Sequence, residues 1–255
     1  MVFGTLRLPL PVMGGLFALI LFGAALEWAQ LAGFVARVSR FIYASSTVAV
    51  AVACALWLRG AHTPLTVMLA IGCAWWCVAA AWVIHYQIHE EPKLSDRLRL
   101  ALCGWLALIP ALVALLALLS RGPSLLLALF ALVWSADIFA YFGGKTFGKR
   151  RLASRVSPGK TWEGLTAALL GTQLLAVAGA RVFAALPLTA VLALAAATLA
   201  ASVVGDLLES LLKRLRGVKD SGNLLPGHGG LLDRIDSLLA AAPVFTLALI
   251  LVEQS

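Results

Sequence analysis

The chain has 255 residues, 62% of them hydrophobic and only 13% charged, with a mean hydropathy of +0.96. A soluble domain is about half apolar and about a quarter charged, so a large soluble helical domain is excluded for want of charge to cover its surface. The net charge of +8 and the pI of about 9.8 reside in short loops between apolar runs, which points to an anionic lipid surface and anionic substrates rather than to nucleic acid.

A membrane span needs about 20 mostly apolar residues. Spans are expected at 10–28, 42–58, 64–84, 100–119, 123–142, 161–184, 187–212 and 234–252. The expected fold is therefore an all-α, polytopic integral membrane protein with about eight transmembrane helices. The first run lacks a strong basic leader and a small-x-small cleavage site, so it reads as a membrane helix rather than a signal peptide. Within it, Glu27 beside Trp28 reads as an interfacial anchor. The second span is short. Cys54, Cys73, Cys77 and Cys103 all lie in apolar runs without zinc-like spacing and read as small buried hydrophobes. His62, His85 and His89 have no constellation around them. Pro110 should kink the fourth span. In the fifth, Asp137 follows Trp134, with Tyr141 one turn on; it is either a polar contact in the bundle or a substrate contact. The seventh span is long enough to project beyond the bilayer, and its end, "GDLLESLLKRLRG", looks amphipathic. Residues 1–122 read as scaffold and lipid-facing helices, and 123–255 as the catalytic region.

Charge tests this map. The segments after spans one, three, five and seven carry Arg37 and Arg40; Lys93, Arg97 and Arg99; Lys145, Lys149, Arg150, Arg151, Arg155 and Lys160; and Lys213, Arg214, Arg216 and Lys219. The opposite side carries Arg7, Arg59, Arg121 and Arg181. The positive-inside rule places the four basic segments in the cytoplasm and both termini outside.

The two most basic segments are also rich in Gly, Ser and Pro: 137–164 and 205–237. Asp206 lies within a span, and Asp233 and Asp236 are three apart, on one face if helical. Three carboxylates near one bilayer face invite a cation, and oxygen ligands of this type suit Mg²⁺. The plainer alternative is a helix N-terminus favouring Asp233 and Asp236, with Asp206 paired to Lys213 or Arg214. Lys145, Lys149, Arg150, Lys160, Lys213, Arg214, Lys219 and Arg234 can orient phosphate oxygens. The run "PGHGG" around His228 offers backbone that a phosphate can approach. His228 itself could be a general acid or base, a phosphate donor or a turn-stabilising side chain. In "SPGKT", Ser157 reads as a helix cap with Pro158 in the first turn. The spacing is not that of a P-loop.

These residues resemble a known family. Ser210, Lys213 and Arg214, then Lys219, Asp220, Ser221 and Gly222, then Leu225, Pro226, Gly227, His228, Gly229 and Gly230, then Asp233, Arg234, Ile235 and Asp236 are similar to the signature of the phosphatidate cytidylyltransferases. The upstream block from Asp137 through Ala140, Tyr141, Gly144, Gly148 and Lys149 to Ser157-Pro158-Gly159-Lys160-Thr161-Trp162-Glu163-Gly164 resembles the family's second block. The resemblance is specific from about 130 to 252. It implies conversion of CTP and phosphatidic acid to CDP-diacylglycerol and pyrophosphate at the cytoplasmic face of a bacterial plasma membrane. It further implies a homodimer, and Mg²⁺ held by Asp206, Asp233 and Asp236 in a two-cation site whose second ion is divalent or monovalent. Family members often carry an extra basic, apolar segment ahead of the "EWAQL" region, whereas one span is expected here.

In the mechanism so implied, the phosphatidate phosphate attacks the α-phosphorus of CTP and no protein nucleophile is needed. Lys213, Arg214, Lys219 and Arg234 screen charge. The turn of Gly229, Gly230 and His228 and the turn from Ser157 to Lys160 hold nucleotide phosphates, with Asp137, Lys145, Lys149 and Asp220 as further substrate contacts. The alternatives are a CTP-dependent transferase or kinase acting on another lipid, such as an isoprenoid one, and an ion-coupled transporter, for which inverted repeats are not apparent.

Overall fold

The structure is a computed structural model that describes residues 9–58, 60, 62–89, 96–183, 186–222, 224 and 229–254. Long apolar runs leave the backbone no partner in lipid except itself, so they fold as helices. The helices are α1 (Leu10–Ala32), α2 (Arg37–Trp57), α3 (His62–Ile88), α4 (Arg97–Arg121), α5 (Pro123–Phe147), α6 (Trp162–Ala178), α7 (Leu188–Arg216) and α8 (Asp236–Glu253). Seven are long and apolar enough to cross a membrane; the exception is α6, with 17 residues. The expected span 161–184 is broken where Gly179 caps α6 and a 3₁₀ turn, Ala180–Phe183, takes over. The second helix is not short: it begins at Arg37 and has 21 residues. Helix α4 runs through Pro110 without interruption.

One departure from an all-helical chain sits between α5 and α6. A two-stranded antiparallel hairpin, β1 (Arg151–Ala153) and β2 (Ser157–Thr161), occupies the basic loop. Ser157 is therefore not the helix cap expected from the sequence. It pairs with Ala153 in the strand, and Thr161 caps α6 by accepting from Gly164 N at 3.1 Å. Glu163 folds back to accept from Lys149 N at 3.0 Å and Arg150 N at 3.2 Å, which ties the hairpin's entry to the first turn of α6.

Helix α8 is the middle of the bundle, packed against α3, α4, α5 and α7. Helices α1, α2 and α4 form a second group, tied by Trp28 Nε1 to Leu100 O and Tyr43 Oη to Ala101 O, each at 2.9 Å. Both groups share one buried core running from Met13 to Ile250. Large apolar side chains such as Phe41, Trp57, Ile71, Val78, Leu170 and Leu174 lie on the outside, where an integral membrane protein meets lipid tails.

Helix α1 ends in a left-handed Gly33, whose N–H reaches the last carbonyls. A side chain there would collide with the Arg216 guanidinium. Arg216 donates to Leu31 O and Arg40 to Phe34 O, so two cations stand at the negative end of the helix, Arg216 tying it to α7 and Arg40 to α2.

The contact that matters most for the site is between α7 and α8. A Cβ on Gly205 would collide with the carbonyl oxygen of Asp236 and stand 3.2 Å from Ala240 Cβ. The glycine lets the start of α8 touch α7, in the way small residues allow close helix crossings in membranes. Gly205→Ala should therefore force the two helices apart at a cost of about 1–3 kcal/mol. A thermal unfolding scan in detergent should show a midpoint lower by several degrees; an unchanged midpoint would contradict this packing.

Candidate active site

Because Gly205 brings α8 onto α7, the next residue, Asp206, faces Asp236 at the start of α8. Helix periodicity places Glu209 and Lys213 on the same side of α7. The short 3₁₀ turn Leu232–Arg234 carries Asp233 in from the loop. Asp137 joins from α5. All five acids, with Lys213 and Arg234, line one cavity of about 520 Å³. Its remaining walls are apolar: Phe17 and Leu21 of α1, Leu112 and Leu115 of α4, and Phe130 and Trp134 of α5 are among them. Trp134 is also exposed at the outer surface of the bundle, so this wall reaches toward lipid.

A second cavity, of about 350 Å³, lies against the hairpin and α6. Gly159, Lys160, Thr161, Gly164, Tyr141 and Ser202 line it. Asp137, Asp206 and Ser237 line both cavities. The two spaces thus meet at a wall of two carboxylates and a hydroxyl.

Cations hold the acids in place. Lys160, reaching over from β2, forms an ion pair with Asp206, which also accepts from Ser210 Oγ at 3.3 Å. Lys213 donates to Glu209 Oε2 at 2.8 Å and to Asp233 Oδ1 at 2.6 Å. The other oxygen of Asp233 accepts from Ser221 N at 3.0 Å, Ser221 Oγ at 3.0 Å and Gly230 N at 2.9 Å. Burial pushes the Asp233 carboxyl upward. Hydrogen bonds with Glu209, Lys213, Ser221 N and Gly230 N outweigh it and hold the group well below the usual carboxylate range. Asp233 is therefore ionised throughout the neutral range. Asp236 accepts from Ser237 N at 2.7 Å, and the Oε1 atom of Glu209 is buried without a hydrogen-bond partner.

The sequence-predicted residues divide into those that line a cavity and those that do not. Asp137, Lys160, Asp206, Lys213, Arg234, Asp233 and Asp236 line one or both. Arg214 points elsewhere: its Nε donates to Val156 O at 3.2 Å, bracing the hairpin. Lys145 and Lys149 are exposed near the end of α5, with Lys145 Nζ 5.7 Å from the Tyr141 ring centroid. Lys219 and Asp220 lie exposed in the turn after α7. Gly229 has φ of 81°, a left-handed conformation, and sits beside Asp233 and Asp220. Gly230 commits its N–H to Asp233. His228 lies outside the described residues.

The residues that sequence reading passed over are Glu209, Ser221, Ser237 and Glu27. Glu209 carried a readable signal, an acid four residues before Lys213 on the face of Asp206. Glu27 reads in the sequence as an interfacial anchor, but it is buried, at 3% exposure, accepts from Leu231 N and Leu232 N, and lies 3.0 Å from Ser221 Oγ, whose one hydrogen it shares with Asp233. An acid alone inside an apolar helix was the available clue.

Residues 1–252 match the model of the cytidylyltransferase family. The chain belongs to that family. A phosphatidate cytidylyltransferase of Pseudomonas aeruginosa is 42% identical over 243 residues, which covers 91% of this chain and 87% of that protein. Phosphatidate cytidylyltransferases of Haemophilus influenzae and Brucella abortus are 51% and 48% identical over 136 and 130 residues. Those two alignments cover 49% of this chain in each case, and 46% and 47% of the relatives.

In this cytidylyltransferase, among the described residues, Lys213 bridges the buried Glu209 and the half-buried Asp233, and removing it leaves the Asp233 carboxylate without its cation. Lys213→Met should cost about 3–5 kcal/mol. Adding Asp233→Asn should restore part of the lost thermal stability, because the stranded charge is then gone. Equal or larger loss in the double variant would contradict the bridge.

Proposed function

We propose that this chain transfers the cytidylyl group of CTP to phosphatidic acid, giving CDP-diacylglycerol and pyrophosphate. The observation that carries the reading is the pair of cavities meeting at Asp137, Asp206 and Ser237. One has long apolar walls that suit acyl chains and an acidic, lysine-bearing end. The other, built from the hairpin and the start of α6, offers Lys160, Thr161 and glycine backbone for nucleotide phosphates. The names of the relatives support the same pair of substrates.

In the reaction, a phosphate oxygen of phosphatidic acid forms a bond to the α-phosphorus of CTP. The bond from that phosphorus to the bridging oxygen breaks, and its electron pair leaves with pyrophosphate. The lipid brings its own nucleophile. The protein's task is to hold two polyanions together. Lys160 and Lys213 stand beside Asp206 and Asp233 and offer fixed positive charge to phosphate oxygens. Arg234 adds a fork of donors at the cavity rim. Lys145, Lys149 and Lys219 supply an approach field for CTP.

The donor set fits Mg²⁺. Five carboxylates face two cations along the larger cavity, and the buried Oε1 of Glu209 has no hydrogen-bond partner. Among the described residues no group of three acidic, His or Cys side chains is placed to hold one ion unaided. That accords with an ion that takes one or two carboxylates and completes its shell with water and substrate phosphate. Asp206, Asp233 and Asp236 would share the cations of a two-ion site, one or two carboxylates to each, the second ion divalent or monovalent. When bound, the metal supplies neutralisation of phosphate charge and stabilises the attacking and leaving oxygens.

The positive-inside rule supports a site on the cytoplasmic face with both termini outside, and the family resemblance is the ground for proposing a homodimer. A reporter fused to the C-terminus should be active only outside the cytoplasm. Asp206→Asn, Asp233→Asn and Asp236→Asn should each cut CTP-dependent pyrophosphate release by about 100-fold or more, with helix content by circular dichroism unchanged. Chelation of divalent ions should abolish turnover and Mg²⁺ should restore it. Near-normal turnover in a folded aspartate variant, or in chelator, would overturn the metal assignment.

A further inference from the structure

Glu27 is the only acid in α1. A charge in a membrane helix is costly unless it is compensated. Among the described residues no lysine or arginine forms an ion pair with it. Its compensation comes instead from one loop about 200 positions away. Ser221 Oγ lies 3.0 Å from Glu27 Oε2, Leu231 N donates to Oε1 at 3.0 Å, and Leu232 N donates to Oε2 at 2.7 Å.

The two backbone donors open the 3₁₀ turn Leu232–Arg234, so Glu27 caps from another helix the turn that carries Asp233 and Arg234. Free N–H groups at such a start need an acceptor, and a carboxylate is a strong one. The serine completes the link. Its single hydroxyl stands 3.0 Å from Glu27 Oε2 and 3.0 Å from Asp233 Oδ2, bridging the two carboxylates. The loop is wrapped closely around this point. A Cβ on Gly222 would stand 2.5 Å from Glu27 Oε1, and one on Gly230 would stand 2.6 Å from Glu27 Oε2 and collide with Ser221 Oγ. The loop glycines nearest the site are thus small because Glu27 occupies the space.

We propose that Glu27 is a positioning residue for cytidylyl transfer: it anchors the segment from Ser221 to Leu232 and thereby aims Asp233 and Arg234 into the cavity. The inference rests on the function proposed above. Glu27 lines neither cavity of the site, opening instead onto a separate pocket beside Gln30, Arg37 and Arg40, and acts through the loop. Its role resembles that of outer partners that orient ligand side chains, whose loss typically costs about 10- to 100-fold in activity.

The test uses the full chain in detergent with saturating CTP, phosphatidic acid and Mg²⁺. Glu27→Gln keeps the shape but opposes its amide N–H₂ to a donor. It should lower kcat by about 10- to 100-fold, leave KM for CTP within about threefold, and speed amide exchange at Leu231 and Leu232. Glu27→Asp keeps the charge and should recover part of both effects. If Glu27→Gln fails to fold, Ser221→Ala removes only the bridging hydroxyl and should show the same two effects, smaller. Full kcat in a Glu27→Gln variant with exposed amides would overturn the positioning role. So would reduced kcat with wild-type protection of Leu231 and Leu232. A wild-type chain that makes no CDP-diacylglycerol refutes the proposed reaction instead, while the exchange measurement still reads the anchor.

Discussion

Acidic side chains from different helices are held side by side inside an apolar bundle, and they cannot stay there without positive charge. That constraint organises this half of the molecule. In a medium less polarisable than water, like charges repel strongly, and an unpaired carboxylate pays heavily for losing its hydration. The chain meets the problem with Lys160 on Asp206 and with Lys213 shared between Glu209 and Asp233. A phosphate oxygen can compete for either lysine, and a metal can compete with the lysines for the carboxylates. The arrangement is therefore closed enough to fold and still exchangeable enough to bind anions.

The helices owe their placement to small residues and to polar contacts across long sequence separations. Gly205 lets α8 touch α7, and so sets Asp206 against Asp236. Gly143 and Gly164 allow a similar approach of α5 and α6, with the Gly143 position against Ala167 and the Gly164 position against the carbonyl of Ala140. That brings the hairpin and its Lys160 over the end of α7. The first four helices are more than scaffold. Phe17, Leu21, Leu112 and Leu115 wall the larger cavity, and Glu27 reaches the loop that carries Asp233. The division at residue 122 follows the density of motifs rather than the packing, since one buried core crosses it.

Much of this was legible from residues alone, because membrane insertion writes a strong signal. Seven of the eight expected spans are long apolar helices in the structure, and Asp137, Lys160, Asp206, Lys213, Asp233 and Asp236 meet at the cavities, whereas Lys149, Lys219 and Asp220 stay outside them. Other features were hidden for identifiable reasons. The hairpin at Ser157–Thr161 is short, and "SPGKT" satisfies a helix-start pattern as well as a strand; Arg150 O accepting from Trp162 N and the Thr161 cap decide it. Arg214 and Lys213 are adjacent and look alike in sequence, but neighbours on a helix point in directions about 100° apart. One reaches the acids and the other the hairpin. The partners of Glu27 lie about 200 positions away, beyond any local pattern. The glycines of the signature loop invite a phosphate-binding reading, whereas Gly222 and Gly230 are small because Glu27 and Ser221 press against them.

The proposed reaction brings a lipid phosphate to the α-phosphorus of a nucleotide beside Asp206. The most direct measurement offers the purified protein CTP labelled in turn at the α and the γ phosphate, with phosphatidic acid and Mg²⁺, and counts label in the lipid fraction. Label should enter the lipid from the α position, with one pyrophosphate released per lipid labelled. Label entering from the γ position, or no transfer by a folded and metal-replete protein, would contradict it.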